Sequence, residues 1–270
     1  MSAASRASLA EAMERLDAVL ASADVAGLGG ELFGIVRLLD NEASLRRALS
    51  DPARDPDDKA RLVRILFEGK VSQATLELFQ DVVRLRWSRP RELADAVERL
   101  AVAAEAAQAQ ADGRVDDLED ELFRFGRLVE REPQLRSALA YPALPVERKR
   151  ALVTALLEGK VTPSTLRLIN EVVADPRGRS LERALGEYSR VVAQRSRRLI
   201  ARVRTATALT EEQRSRLVAA LSAAYGHDIY LNIELDPDVL GGISVQIGDE
   251  VIDGTVAGRL EDVRRRLSAS

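Results

Sequence analysis

The sequence predicts a mainly α-helical chain: two tandem six-helix-type bundles, the second a duplicate of the first, followed by a small α+β domain. Three observations carry this. First, residues 32–83 and 122–173 are one sequence written twice, 90 positions apart, with roughly half the paired positions identical, which marks an internal repeat. Leu32-Phe33 pairs with Leu122-Phe123, Arg37-Leu38 with Arg127-Leu128, Ala48-Leu49 with Ala138-Leu139, and Glu68-Gly69-Lys70-Val71 with Glu158-Gly159-Lys160-Val161. Second, up to about residue 197 the apolar residues recur at helical spacing, and beyond it they alternate with period two, as half-buried strands do. Third, abundant Ala, Leu and Arg with 4% aromatic residues is a helical composition. The expected domains are residues 1–105, 106–196 and 197–270.

Taken in order, Leu9, Met13, Leu16 and Leu20 set the apolar stripe of an opening helix over Ser8 to Ala21, and the glycines from Gly27 to Gly30 break it. A second helix begins near Glu31 and stops near Asn41. A short third runs through Leu45 and Leu49 to Asp51-Pro52. Asp55-Pro56 opens a fourth with proline in its first turn, Leu62, Ile65 and Leu66 being expected to face inward. Gly69 ends it as a left-handed cap, Ser72 caps a fifth helix, and Trp87 packs at that helix's end. From Pro90, the spacing of Leu93, Val97, Leu100 and Ala104 predicts helix over residues 90–130, continuous or interrupted at Asp112-Gly113, closing the first bundle and opening the second. Its Ala-rich run from Ala101 to Ala111 permits close helix approach. In the second copy Thr162-Pro163 starts the helix that Ser72 starts in the first. A last bundle helix passes through Leu181, Leu185, Tyr188 and Val192.

The final domain is expected to be β-α-β-β-β-α. A strand covers Leu199 to Thr205, and Thr210-Glu211-Glu212-Gln213 is a capping box for a helix through Leu217, Leu221 and Tyr225 that Gly226 ends. A strand follows at residues 229–235, then a turn from Asp236 with Gly241-Gly242 free to take positive φ. Ile243, Val245 and Ile247 form a third strand, Gly248-Asp249-Glu250 a tight turn, and Val251-Ile252 a fourth strand. A helix from Thr255 closes the chain, with Val256, Leu260, Val263 and Leu267 on one face.

Charge and motif content exclude several functions. The formal net charge is -3, so the bulk attraction of a nucleic-acid binder is missing. The chain has no cysteine, and therefore neither disulfides nor thiolate metal sites, which suits a reducing compartment. No apolar h-region opens it and no stretch approaches a spanning helix, so membrane association is expected only through a partner. Gly69-Lys70 and Gly159-Lys160 are followed by valine and lack the first glycine of a phosphate loop; helix ends explain them. His227 is the sole histidine and reads as a turn residue. The acidic run Asp116 to Glu121 lacks calcium-loop spacing and suits a helix N-terminus. The arginine clusters near residues 195–204 and 264–266 lie among acidic residues with few aromatics, which favours a solvated face over a phosphate site. No nucleophile, base and orienting group occur as a set, so neither an enzyme, a cofactor nor a metal is expected.

The run Val239-Leu240-Gly241-Gly242-Ile243-x-Val245-x-Ile247-Gly248-Asp249-x-Val251-Ile252-Asp253-Gly254, preceded by Val203-Arg204-Thr205-Ala206 and Leu209-Thr210-x-x-Gln213, resembles the C-terminal signature of the ATP synthase delta subunit family. The mitochondrial oligomycin-sensitivity-conferring protein is a relative. Gly241, Gly242, Gly248, Asp249, Asp253 and Gly254 carry that signature. The resemblance implies a non-catalytic peripheral-stalk (stator) subunit of a rotary, proton-translocating F-type ATP synthase, one copy per complex, on the cytoplasmic face of a bacterial cell membrane. It implies two partners: N-terminal helices of the alpha subunits, and the b subunits, which the C-terminal domain would join. The family's groove between opening and fifth helices falls on Leu9, Met13, Leu16, Leu20, Leu76, Phe79 and Val83. The duplicated bundle departs from the family pattern; the first copy, with its own opening helix, is preferred for the alpha subunit, and a spacer or a grip on the b subunits is the other role open to the extra copy. A helical-repeat adaptor binding amphipathic partner helices is the competing reading.

Overall fold

A computed structural model describes residues 1–22, 27–237, 239, 241–247 and 250–253. The chain divides into two compact units, Met1–Ser196 and Arg197–Ser270. The first contains α1 (Ala3–Ser22), α2 (Leu28–Asn41), α3 (Ala43–Ser50), α4 (Pro56–Phe67), α5 (Gln73–Arg84), α6 (Pro90–Ala111), α7 (Val115–Arg131), α8 (Pro133–Ala140), α9 (Val146–Leu157), α10 (Pro163–Ala174) and α11 (Leu181–Ser196). Shifted by 90 residues, α3, α4 and α5 fall on α8, α9 and α10 residue for residue, while α2 falls on the body of α7 and α6 on α11. The same shift carries α1 onto α6. One helix is therefore the sixth of the first copy and the first of the second.

Contacts agree with this double role. In the first-copy part α6 packs on α1, α2 and α3, and in the second-copy part on α10 and α11, as α1 itself packs on α5 and α6. Fourteen of its 22 residues are buried, more than the single apolar stripe of a surface helix would bury. Small side chains permit this: Ala94, Ala96, Ala101, Ala103, Ala104, Ala106 and Ala109 are all buried. Neither the helix nor the core breaks at residue 105. A single contiguous cluster of buried side chains runs from Ala12 on α1 to Val192 on α11.

Local chemistry sets the element ends. Asp55 accepts from the backbone N–H of Asp57 and Asp58 at the head of α4, with Pro56 in its first turn. Gly69 and Gly159 both adopt φ 73° just past the ends of α4 and α9, the left-handed cap that the Glu-Gly-Lys-Val runs predict. The predicted long helix over residues 90–130 is interrupted: Gly113 at φ 68° separates α6 from α7. The duplication extends to hydrogen bonds. Glu31 accepts from the Ser72 N–H at 3.0 Å, from the Ser72 hydroxyl at 2.7 Å, and from the Thr75 hydroxyl; Glu121 accepts from the Thr162 N–H at 2.8 Å and the Thr165 hydroxyl at 2.5 Å.

Two expectations need correction. Ile65 does not face inward; it is 71% exposed, and α4 buries Ala60, Val63 and Phe67 instead, a face rotated from the one traced through Leu62, Ile65 and Leu66. Leu62 and Leu66 lie half-buried at its margin. The second helix also starts earlier than Glu31. Gly27 takes φ 87° as the residue before α2, but Gly29 and Gly30 are helical. Gly29 is buried against α6, where an added Cβ would lie 2.6 Å from the side chain of Glu105. Its glycine serves close approach rather than a turn.

The second unit holds β1 (Arg198–Thr205), α12 (Glu211–Tyr225), β2 (Asp228–Leu235), β3 (Ile243–Ile247) and β4 (Glu250–Asp253). The sheet order is β2-β1-β3-β4. β1 and β2 run parallel, joined through α12, while β3 is antiparallel to β1 and to β4. Thr210 and Gln213 form the predicted capping box, and Gly226 at φ 68° ends α12. Ala201, Val203, Leu221, Ile229, Leu231, Val245 and Ile247 make its core. The helix expected from Thr255 lies outside the described residues.

The two neighbouring glycines of α2 give opposite predictions. At Gly30, exposed with nothing near an added Cβ, Gly30→Ala should raise stability by up to about 1 kcal/mol through helix propensity alone. Gly29→Ala should lower it, because overpacking against Glu105 costs about 1–3 kcal/mol. Thermal or urea unfolding of the two variants checks this; equal shifts of one sign would refute the close-packing account.

Candidate partner-binding surfaces

The seven residues expected to form a groove lie on adjacent, packed helices: Leu9, Met13, Leu16 and Leu20 on α1, and Leu76, Phe79 and Val83 on α5. Leu16, Leu76, Phe79 and Val83 are core side chains, each 3% exposed or less, whereas Leu9, Met13 and Leu20 are half-buried at the margin. Arg15 of α1 bridges to Asp81 of α5 at 3.1 Å, and Ser8 donates to the Arg86 carbonyl at 2.7 Å. The apolar seam is thus floored by the core and edged by three partly accessible side chains.

The corresponding seam of the second copy lies between α6 and α10. There Leu9, Met13 and Leu20 are replaced by Arg99, Ala103 and Gln110, and the N-terminal end of α2 adds a third wall. A cavity of about 650 Å³ remains, lined by Gly27, Gly29, Ala104, Ala109, Pro163 and Arg167 among others. Glu105 and Arg167 pair across it at 2.8 Å.

Where the copies meet, an ionic cluster closes the seam. Arg177, in the turn before α11 with φ 55°, bonds Asp40 of α2 at 2.6 Å, and Asp95 and Glu98 of α6 at 3.0 Å and 2.6 Å. Glu98 also takes Arg179 at 2.5 Å and the Tyr188 hydroxyl at 3.0 Å. Burial alone would lower the Arg177 pKa, but the Asp40 hydrogen bond and the charges of Glu98, Asp40 and Asp95 outweigh it and raise it further. Burial, reinforced by the negative charge of Glu98, pushes the Tyr188 phenol well up. The adjoining cleft of about 270 Å³ is lined by Arg91, Arg177, Arg179, Asp95, Glu98 and Glu187, among others, and its charges are largely committed to one another. A second buried pair, Asp17 with Arg195, ties α1 to α11.

Other residues singled out in the sequence fall where structure explains them. His227 Nδ1 lies 2.6 Å from the Tyr225 carbonyl, next to the glycine that ends α12. Trp87 is buried and donates from Nε1 to the Val82 carbonyl at 2.9 Å. Among the described residues no group of three or more His, Cys, Asp or Glu could hold a metal ion, and no helix is long and apolar enough to cross a membrane. Of the C-terminal signature, Gly241 and Gly242 adopt φ 66° and 82°, and Asp253 ends β4. Gly248, Asp249 and Gly254 lie outside the described residues. Sequence reasoning missed the inter-copy cluster, since nothing in the spacing of Asp40, Glu98 and Arg177 brings them together before the copies are docked.

A family model described as the ATP synthase delta (OSCP) subunit matches residues 98–267, from within α6 to near the C-terminus. An ATP synthase subunit delta from Thermobifida fusca is 54% identical over 268 residues, covering 99% of this chain and 100% of its own length. One from Streptomyces griseus is 48% identical over 270 residues, again covering 99% and 100%. A chain of the Toxoplasma gondii mitochondrial ATP synthase hexamer aligns over 63% of this chain and 98% of that one at 17% identity, with a TM-score of 0.28, too low to inform the fold.

Hydrogen-bonded carboxylates, at the cluster and away from it, make stability of the helical unit depend on pH. Burial opposes ionisation of Glu31, Glu92 and Glu187, but hydrogen bonds outweigh it: from Thr75 and Ser72, from Ser5 and Arg89, and from Arg179, respectively. Their folded pKa values are therefore lowered, and their contribution is present above the unfolded value of about 4.3 and lost as pH falls through the folded ones. Asp95, raised chiefly by burial, works the other way. Denaturant midpoints should hold from pH 7 to about 5 and fall below about 4; a midpoint that stays level down to pH 3 would contradict the assignment.

Proposed function

The chain belongs to the ATP synthase delta (OSCP) subunit family, and from that premise we propose that it is the peripheral-stalk subunit that joins the catalytic head to the b subunits. It acts mechanically, not as an enzyme, and holds the head against the torque of the rotor. One copy sits in each complex, on the cytoplasmic side of a bacterial membrane that it reaches only through its partners. An N-terminal helix of an alpha subunit lies on the α1–α5 seam of the first copy, over Leu9, Met13 and Leu20, with Leu16, Leu76, Phe79 and Val83 as the floor. The C-terminal unit grips the b subunits.

The observation that carries the choice of copy is the contrast between the two seams. The first presents large apolar margins that anchor an amphipathic helix; the second has Arg99, the buried Ala103 and Gln110 at the corresponding sequence positions and is walled by α2. The family model matches the second copy and the C-terminal unit, so the first copy is the addition. Added there, it covers one side of the second copy's opening helix and supplies a free seam of its own. The adaptor reading has no observation left in its favour, since relatives named as delta subunits match along the full length.

Removing residues 1–88 would strip α6 of its cover, so point variants are the sound test. Met13→Glu in the full chain should weaken binding of a peptide spanning the alpha subunit's N-terminal residues at least tenfold, about 1.4 kcal/mol, measured at a temperature where its unfolding curve shows the variant fully folded. Gln108→Glu, on the second seam, should leave it unaltered. Calorimetric titration reads both; the reverse pattern would move the grip to the second copy.

A further inference from the structure

We infer that the outer face of α7, centred on Phe123, is a second docking surface, and that it takes a basic amphipathic helix from a neighbouring subunit. The template for this lies inside the chain. In the first copy the corresponding face, on α2, is covered by the second copy. Phe33 is 4% exposed and meets Tyr188 of α11 with ring centroids 6.1 Å apart. Arg37 reaches Glu171 of α10 at 2.6 Å, and Asp40 holds Arg177. A void of only about 30 Å³ is left between them.

Ninety residues on, the same positions stand uncovered. Phe123 is 62% exposed. Arg127 and Glu130, the counterparts of Arg37 and Asp40, pair only with each other among the described residues, at 2.8 Å, each about half exposed. Gly126 sits in mid-helix with nothing near its Cβ position; glycine is a poorer helix former than alanine but leaves room for a close backbone. From Asp116 to Glu130 the stripe follows helical spacing and runs about 21 Å, four turns at 1.5 Å per residue.

Charge selects the occupant. An open trough of about 380 Å³ beside Phe123 is lined by Asp116, Glu119, Asp120 and Ser189; Arg124 bridges to Asp120 at 2.8 Å, so three carboxylates meet one base and the trough keeps a net negative charge. The segment that covers the first copy's face, residues 175–196, carries five arginines against three acidic residues. A helix of that character, with an aromatic or aliphatic anchor for Phe123 and arginine or lysine toward the trough, completes the surface as α11 completes its counterpart. This site is separate from the α1–α5 seam and does not depend on it.

The test places a photocross-linking amino acid at position 123 of the full chain within the complex extracted from membranes, and identifies the adduct by mass spectrometry. The expected adduct lies on a segment of another subunit with an apolar stripe and net positive charge. Phe123→Asp, with unfolding unchanged because that side chain is exposed, and the pair Asp116→Asn, Asp120→Asn should each weaken binding of a peptide of that segment at least tenfold. An adduct within the same chain, on a second copy of it, on an acidic segment, or none at all overturns the inference. So does equal binding by Phe123→Asp. Met13→Glu separates the two surfaces: it should weaken alpha-peptide binding at least tenfold and leave the adduct at position 123 intact.

Discussion

Everything in the helical unit depends on α6 being buried by helices of both copies. A helix that serves two bundles at once has little face left for water, so the residues it buries must be mostly small and apolar. The alanines supply that, but alanine alone buries little area, and close approach has to make up for it. Gly29 on α2 is the clearest sign of how close the neighbours come. Because dispersion and apolar burial both fall off with any gap, a shared helix of this kind couples the two copies more tightly than a linker would.

Two buried carboxylates of α6 are exceptions that sit where the copies meet. Glu98 and Glu105 are 3% and 4% exposed, and each has arginine partners from the second copy. Buried ion pairs add little net stability, since desolvation consumes most of the Coulomb gain, but an unpaired member is costly. Their effect here is on arrangement: any sliding of α10 and α11 along α6 would leave Glu98, Arg177 and Arg179 unmatched. A stator subunit has to transmit force without creep, and a dry alanine surface alone would resist sliding poorly.

Most of the fold was legible in the sequence because its signals were local and repeated. The 90-residue duplication located the paired helices, Gly69, Gly159 and Gly226 ended them, and Thr210 with Gln213 opened α12. What failed was phase and tertiary context. Ile65 was placed inward because α4 has apolar residues on more than one face, and only packing shows that Ala60, Val63 and Phe67 are the ones used. Gly29 and Gly30 read as a breaker because a close helix contact leaves no mark in one sequence. Of the predicted groove, spacing located both helices, yet could not tell the floor, Leu16 and Phe79, from the rim, Leu9 and Met13. The exposed Phe123 is visible only by contrast with the buried Phe33.

The central claim is that the two copies form one mechanical body through α6. Native-state hydrogen exchange at rising denaturant tests it most directly, because it reports the opening free energy of each helix separately. Amides of α2, α6 and α11 should merge into a single isotherm, opening together at the global unfolding free energy. Opening of α7 to α11 while α1 to α6 stay protected would show two bodies joined by a helix, and would contradict the account.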